Sequence, residues 1–429
     1  MLRFSRAMIS AVGALALAAP IAAQQREYSV SGAASVKSVG LYNPYTLLVR
    51  KDVQRVADEA LKGPISADRL ASLLAGSEVT ADHLTATDVL IRRPDGSYQL
   101  GMTVFTAEDR VLLDRVADNL GQSLAQAVVA RRKDFDRILG RYDLQGVDPA
   151  MVRMALIGCL MLDWDGLRVT AENDFRTAAV KKPSGDEYQM VLRERTPLAS
   201  ARALYWGSHN APAAGGAIKM STFGDHHPGS ARAAFPDLTW IVEERDFGRV
   251  ARAPLAPELA KAFAAEMQST QDVTALIMRR LRGGAANEAV LAQAAGQPVE
   301  RVRRTLQLLA ALNYVSLSNG EYQAAIPVFT EERDGAMIRE FRALGREVML
   351  DWLRKNYATS ERQLSGLTAL RAGVPFKVMY TEVWHPIFGW ANYHLVRDGY
   401  LHDPYGPKAR FISFVPFVWD ASLRLDFFS

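Results

Sequence analysis

The sequence contains a single cysteine, little excess charge and no complete catalytic motif. Among its 429 residues only Cys159 is a cysteine, so the chain cannot form an internal disulfide. Cys159 lies in an apolar run, and we expect it to fill core space as a small hydrophobe. A formal net charge of +4 on a chain of this length is too small to indicate a nucleic-acid-binding surface.

The motifs that define several enzyme classes are also missing. The chain has no H-E-x-x-H or H-x-H spacing for a metal centre, and neither Ser208 nor Ser221 lies in a G-x-S-x-G frame. Gly215 and Gly216 are not followed by the spacing of a phosphate-binding loop. These absences favour a binding protein, while an enzyme with an unfamiliar site stays open.

Residues 1–23 are predicted to be a cleaved secretory signal peptide. Arg3 and Arg6 form a basic start, residues 7–19 carry no charge, and small residues precede the expected cleavage after Ala23. The apolar run is shorter than the ~20 residues of a spanning helix. An uncleaved anchor and a buried N-terminal helix are the alternatives. We expect a periplasmic or secreted protein with no membrane span after cleavage.

One stretch of the sequence occurs twice. Residues 96–109 return as residues 320–333, with seven of fourteen positions identical. Each copy follows a pattern of three short helices and a hairpin, and each precedes a long amphipathic helix. Ser66, Thr80, Thr106 and Asn287 are predicted to cap helices in these regions. We call residues 44–130 module 1 and residues 266–356 module 2.

The two modules resemble the tandem winged-helix domains of bacterial proteins of unassigned role. In such proteins a strand followed by a helix cap comes after the wing, as Ile326-Pro-Val-Phe-Thr-Glu-Glu-Arg333 does here. The resemblance covers about residues 44–130 and 270–355. It implies a duplicated helix-turn-helix with a wing, a fold that binds DNA in many proteins and protein in others.

The segments outside the modules differ in composition. Residues 24–43 are rich in small and polar residues, which predicts a flexible mature N-terminus. We predict a mixed α/β insert over residues 131–265 and an aromatic- and histidine-containing C-terminal segment over residues 357–429. The expected fold is α+β and mostly helical, with two duplicated winged-helix modules around the insert.

Six of the seven histidines lie in the insert and the C-terminal segment, close to Asp, Gly and Trp residues. Imidazole and carboxylate groups can bind a divalent metal or act as a general base with its orienting partner. Structural histidines that hydrogen-bond loops are the alternative. The catalytic candidates are His209, Asp225, His226 and His385. The metal-ligand candidates, for a possible divalent metal, are His209, His227, His385 and His394.

Whether the modules are expected to bind DNA depends on the basic and polar residues of their third helices. A DNA-reading helix needs Arg or Lys for phosphates and a polar face for bases. Module 2 offers Arg301, Arg303 and Arg304, whereas residues 80–87 of module 1 have no Arg or Lys. An exported chain is also separated from the chromosome. We therefore expect no nucleic-acid partner.

Three functional hypotheses follow from the sequence. The first is an exported protein that binds or scaffolds an envelope protein or a small ligand. The second is a hydrolase, possibly metal-dependent, with a His/Asp pocket between the insert and the C-terminal segment. The third is a DNA-binding regulator whose start codon is misassigned. The sequence does not define the oligomeric state.

Overall fold

The fold is α+β and helices predominate, as the sequence predicts. The computed structural model describes residues 26–177, 182, 184–195, 207–224, 267–404 and 414–426, without the side chains of 33–35, 209, 267 and 268. The first half contains, in order, β1 (Tyr28–Ser35), α1 (Pro44–Leu48), α2 (Lys51–Ala60), α3 (Ala67–Leu73), α4 (Ala81–Ala86), β2 (Leu90–Arg92), β3 (Tyr98–Leu100), β4 (Thr103–Phe105), α5 (Ala107–Ala130), α6 (Arg132–Leu139), α7 (Pro149–Arg153), a π-helix (Met154–Asp165), α8 (Gly166–Glu172) and β5 (Glu187–Glu194). The second half contains β6 (Ser208–Ala213), β7 (Ile218–Phe223), α9 (Met267–Leu281), α10 (Glu288–Ala295), α11 (Val299–Ala311), β8 (Val315–Ser318), β9 (Glu321–Ala324), β10 (Val328–Phe329), α12 (Glu331–Gln363), α13 (Thr368–Arg371), α14 (Phe376–Arg397) and β11 (Val415–Asp420).

The predicted helix caps are confirmed. Ser66, Thr80, Thr106 and Asn287 each accept a hydrogen bond from the backbone N–H three residues further along the chain. Each bond satisfies one of the N–H groups that a helix start leaves without a partner in the helix. Asp109 completes the capping box with Thr106. These local signals therefore fix where the helices of both modules begin.

The two modules have the same order of elements and one matching tertiary contact. In module 1, Ile65 and Tyr98 form an isolated antiparallel bridge between the α2–α3 connection and the hairpin β2–β3. In module 2, Ala286 and Tyr322 form the same bridge between the α9–α10 connection and the hairpin β8–β9. Tyr98 and Tyr322 therefore have corresponding surroundings.

The prediction of a flexible N-terminus is wrong for Tyr28–Ser35. These residues form β1, which pairs antiparallel with β5 along its whole length. Only Tyr28-Ser-Val-Ser31 alternates apolar and polar residues, and the small residues from Gly32 to Ser35 give no such pattern. The apolar residues of the stretch 44–61 have helical spacing, yet the stretch does not form one helix. Arg50 has an extended backbone and separates α1 from α2.

The insert and the C-terminal segment contribute strands to the sheets of the modules. The first sheet has the order β1-β5-β4, in which β5 is parallel to β4. The second has the order β10-β11-β7-β6, in which β11 is parallel to β10. Phe105 pairs with Arg193 and Phe329 pairs with Trp419. The register of β4-β5-β1 therefore matches that of β10-β11-β7.

The same correspondence extends to the starts of the two longest helices. Glu194, at the end of β5, accepts a hydrogen bond from the N–H of Ala107 at 2.8 Å. Asp420, at the end of β11, accepts one from the N–H of Glu331 at 3.2 Å. A carboxylate at a helix N-terminus is stabilised by both the unpaired N–H groups and the helix dipole. The partner strand thus caps the long helix in both halves.

The long helices exchange partners between the halves. α14 of the second half packs along α5 of the first, and the π-helix and α8 of the first half pack on α12 of the second. Gly121 permits the first crossing, because a Cβ there would lie 2.4 Å from Trp390 Cβ. Gly345 lies at the second, where a Cβ would be 3.0 Å from Met161 Cγ. Helices without a side chain at the crossing can approach more closely.

The π-helix lies in the core of the molecule. All twelve of its residues are buried, including Cys159, as predicted for that residue. Trp384 of α14 donates a hydrogen bond to the carbonyl of Leu162 at 2.9 Å and covers Gly166. Most π-helices are single turns, so one of this length is uncommon. Within the described residues, no helix is long and apolar enough to cross a membrane.

Candidate functional site

The structure describes three of the six clustered histidines in full, and all three lie in the C-terminal segment. The candidates Asp225, His226 and His227 lie outside the described residues. The backbone of His209 pairs with Thr222 in the second sheet, and its side chain lies outside the description. The backbone of His209 thus belongs to β6, a position that the prediction of a mixed α/β insert did not specify.

His385 lies on α14 at a polar interface with the first sheet. Its Nδ1 lies 2.7 Å from the carbonyl oxygen of Thr381. Glu382, three residues earlier in the helix, forms an ion pair with Arg193 of β5. Arg193 also donates a hydrogen bond to Ser31 of β1. The interface therefore joins two strands and α14 through one guanidinium group.

The charge state of His385 follows from these surroundings. Burial is the largest influence and lowers the pKa of His385 below its ordinary value of 6.5. Glu382 opposes this shift, and Arg193 and Arg176 reinforce it. The ring is thus neutral near pH 7, and we assign the proton to Nδ1 because a carbonyl oxygen only accepts. In this tautomer Nε2 is the acceptor of the ring.

His394 binds a different element from His385. Its Nε2 lies 2.8 Å from Asp118 Oδ1 on α5. At the corresponding position of α12, Arg342 pairs with Asp165 of the π-helix through contacts of 2.7 and 2.9 Å. Both halves therefore have a polar contact where the long helix crosses its partner, with the carboxylate on the long helix in the first half and on the π-helix in the second. This correspondence assigns His394 to helix packing.

The metal prediction that includes both His385 and His394 is wrong for this pair. Nine residues separate them on a helix that turns 100° per residue, so they project from opposite faces, about 13 Å apart along the axis. His385 faces β5 through its neighbour Glu382, and His394 faces α5. One ion cannot bind both. The described residues contain no group of three His, Cys, Asp or Glu side chains that could hold a metal.

His402 joins the C-terminal segment to the start of α7. Its Nδ1 lies 3.0 Å from Asp148 Oδ2, while Asp148 Oδ1 accepts from the N–H of Ala150 at 2.8 Å. The His402 hydrogen bond is the largest cause that lowers the pKa of Asp148. Asp148 thus caps a helix and orients an imidazole at once. This is a structural role of the kind that the sequence analysis kept as an alternative.

The insert and the C-terminal segment also meet beside the start of the first histidine stretch. A Cβ at Gly158 of the π-helix would lie 3.2 Å from Phe223 at the end of β7 and 3.2 Å from Asn392 of α14. The first histidine stretch continues past Gly224 into residues outside the description. The structure thus brings Phe223, which precedes the first histidine stretch, close to Asn392 of α14. The His385 ring lies on another face of α14.

Two of the three arginines of the third helix in module 2, Arg301 and Arg303, have partners inside the module. Arg303 contacts Glu288 at 2.9 Å and Glu300 at 2.6 Å. Arg301 bonds to Gln297 at 3.1 Å and to Ser269. Arginines held by neighbouring carboxylates are less able to neutralise phosphates, because part of their charge is already compensated.

Sequence reasoning missed Arg193 and Glu382. Arg193 is a charged residue of β5, and Glu382 is a charged residue of α14. Both elements contain many buried residues. Two opposite charges in apolar segments are a signal for a buried ion pair. Their partnership could not be predicted, because 189 residues separate them in the chain.

Comparisons with known proteins do not add a family to this description. No protein-family model matches the chain, and neither a curated protein nor a solved structure matches it. The resemblance to tandem winged-helix proteins therefore stays a prediction. The functional argument has to be made from the geometry of this chain.

Proposed function

We propose that this chain is an exported protein that binds a protein of the cell envelope through its two winged-helix-like modules. The observation that carries the proposal is Leu317, which lies on the module 2 hairpin with 58% of its surface exposed. Ile91, on the module 1 hairpin, is 46% exposed. Apolar side chains at the projecting hairpins are suited to burial against a protein partner.

Two further observations support a protein partner over a nucleic acid. The pairing of Arg303 with Glu288 and Glu300 reduces the positive charge that the third helix of module 2 can offer. In module 1, His83 closes a capping box with Thr80 and stacks on Tyr42, so it stabilises the start of α4. The third helices therefore differ in charge, and the hairpins are the feature that the modules share.

In-cell cross-linking tests this proposal. A photoreactive phenylalanine replaces Leu317 in one variant and Ile91 in another, and both are irradiated in the native host. We expect a defined adduct with an envelope protein. Val111, on α5, is the matched control because it is 58% exposed like Leu317 but lies outside the hairpins. The identified partner is then purified, and Leu317→Asp should weaken its binding by about tenfold or more.

The outcome separates the proposal from its alternatives. Adducts that form equally well at Val111, or at neither hairpin, would refute a hairpin interface. N-terminal sequencing of the protein from cells should find a start after Ala23, and an intact Met1 would refute export. Titration of labelled duplex DNA at low salt, followed by fluorescence anisotropy, tests the regulator hypothesis. Steep, salt-dependent binding would support DNA recognition instead.

A hydrolase is the second candidate, and His385 beside Glu382 favours it. A neutral imidazole next to a carboxylate can act as a general base. His385→Ala distinguishes the two roles. An enzyme would lose hydrolytic activity at an unchanged melting temperature, whereas a structural histidine would show a lower melting temperature and no activity to lose.

A further inference from the structure

The two sheets correspond strand by strand except at one edge. β4, β5 and β1 match β10, β11 and β7 in order and in register. The second sheet continues with β6, which pairs antiparallel with β7 over Ser208–Ala213. Among the described residues, no strand pairs with the outer edge of β1. The first sheet thus ends one strand earlier than the second.

The backbone of β1 directs every second N–H and C=O group to this outer edge. Arg195 donates its N–H to the carbonyl of Glu27 at 2.7 Å, so the odd-numbered residues here bond to β5. In an antiparallel pair the residues between them point the other way. The N–H and C=O groups of Tyr28, Val30 and Gly32 therefore face away from β5.

The second half shows what such an edge can bind. In the register that the sheets share, Val30 corresponds to Met220 of β7. The N–H of Gly224, just after β7, donates to the carbonyl of Gly207, just before β6, at 2.8 Å. The even-numbered residues of β7 therefore bond to β6. The groups that bind β6 in the second half correspond to the groups that face outward from β1.

The outer edge of β6 is closed, whereas β1 has no such protection in its sequence. Pro212 has no N–H to offer, and its carbonyl accepts from Gln271 of α9 at 2.9 Å. Asp272, also on α9, accepts from the N–H of Ala214 at 2.7 Å. β1 contains neither proline nor a charged residue, two of the features that keep strand edges from pairing.

The helix that covers β6 has a counterpart beside β1. α1 and α2 precede the bridge at Ile65 as α9 precedes the bridge at Ala286. Counted back from these bridges, Gln271 corresponds to Arg50, which separates α1 from α2. The part of module 1 that corresponds to the covering residues of α9 is therefore α1 and its end.

α1 lies at the outer edge of β1 and exposes apolar side chains. Tyr45 donates its hydroxyl to the carbonyl of Gly32 at 3.2 Å, which places α1 at this edge. Tyr45 is 38% exposed, and Val49, one turn later, is 59% exposed. Where α9 contacts a strand in the second half, α1 therefore presents an apolar surface to solvent.

We propose that the outer edge of β1 binds an extended segment of a partner protein, which joins the sheet as a fourth, antiparallel strand of the length of β6. Backbone hydrogen bonds hold such a segment, and its alternate side chains contact Tyr45 and Val49. Because neither β1 nor these two side chains carry charge, an uncharged segment with apolar residues suits the edge. A second copy would bring a whole sheet to an edge that α1 flanks, so we assign the edge to a single segment. This surface is separate from the hairpins of both modules.

Fluorescence anisotropy tests the proposal on the full chain. The probe is a labelled, capped peptide of alternating valine and serine, as long as β6. The control peptide has the same sequence with a methyl group on every peptide nitrogen, so it cannot donate backbone hydrogen bonds. We expect saturable binding of the probe only. Amide exchange over residues 26–36 should also become slower when the probe is bound.

Two substitutions locate the site on β1. Val30→Pro removes an outward N–H and leaves the bonds of the odd-numbered residues to β5, so it should weaken probe binding by about tenfold or more. Val30→Thr has the N–H and should restore the affinity. Tyr45→Phe frees the Gly32 carbonyl from its hydroxyl and should tighten probe binding. If Val30→Pro does not fold, Tyr45→Phe and the methylated peptide carry the test, since both leave β1 unchanged.

Three results would overturn the proposal. The first is a wild-type protein that shows no saturable binding of the probe. The second is equal binding of the probe and the methylated peptide, or probe binding that Val30→Pro does not weaken. The third is amide protection over residues 26–36 that is already complete before the probe is added, because this chain or a second copy would then fill the edge.

Discussion

Burial of the His385 ring links the stability of the protein to pH. Since the folded state lowers the pKa of His385 below 6.5, the unfolded chain takes up the proton first as the pH falls. The stabilising contribution is complete above the unfolded pKa and is lost through the window between 6.5 and the lower folded value. We expect the free energy of unfolding to fall from about pH 7.5 to about pH 5.5.

Urea denaturation of wild type and His385→Gln at both pH values measures this contribution. Glutamine can still donate to the carbonyl of Thr381 but does not titrate in this range. The decrease in unfolding free energy on acidification should therefore be smaller in the variant. Equal decreases in the two proteins would show that His385 does not contribute to the pH dependence.

The partners of the histidines explain why the sequence left their roles open. His394 bonds to Asp118 and His402 to Asp148, and more than 250 residues separate the members of each pair. The sequence shows only the carboxylates close to each histidine in the chain, such as Asp403. Proximity in sequence therefore kept an active-site interpretation open beside a structural one, whereas in the structure both rings contact distant elements.

At the scale of elements, the two helix crossings should respond differently to one added methyl group. At Gly121 the new Cβ would meet the Cβ of Trp390 at 2.4 Å and the backbone oxygen of Ile387 at 2.7 Å, neither of which can move alone. At Gly345 it would meet only the flexible side chain of Met161. Gly121→Ala should cost about 1–3 kcal/mol or more from overpacking.

Gly345→Ala is the matched control for this crossing. The better helix propensity of alanine, about 1 kcal/mol, should offset much of the strain there. Chemical denaturation of both variants gives the two changes in unfolding free energy. A similar change in both variants would show that the α5–α14 crossing is no tighter than its counterpart.

The starts of helices could be predicted because their signals are local. The pairing of strands could not be predicted, because it joins residues that are distant in the sequence. The cap of Thr106 requires only the three residues that follow it. The pairing of β4 with β5 joins residues 88 positions apart, and β6 contains Ala and Pro in place of an alternating apolar pattern. An apolar run such as Met154–Asp165 also has the same composition in an α-helix and in a π-helix, so its geometry could not be inferred.

At the scale of the whole molecule, the exchange of helices predicts that the two halves unfold together. α5 packs against α14, and α12 packs against the π-helix and α8. Loss of either contact therefore exposes apolar surface in both halves. Gly121→Ala should reduce amide protection in α11 and α12 as well as in α5, although the substitution lies in the first half.

Hydrogen exchange with peptide-level mass spectrometry tests this coupling. The same peptides from α11 and α12 are compared between wild type, Gly121→Ala and the surface variant Val111→Ala, which changes an exposed position of α5. Protection in the second half should fall only with Gly121→Ala. Unchanged protection there would mean that the halves open independently.

The same exchange constrains the order of events as the chain is made. The N-terminal half leaves the ribosome first, but α14, which covers α5, is the last long helix to be synthesised. The interface of β5 is also incomplete until α14 is present, because Arg193 of β5 forms its ion pair with Glu382 of α14. The nascent first half must therefore keep an uncovered apolar surface until α14 has emerged. Its early folding intermediates are thus exposed to aggregation over that interval.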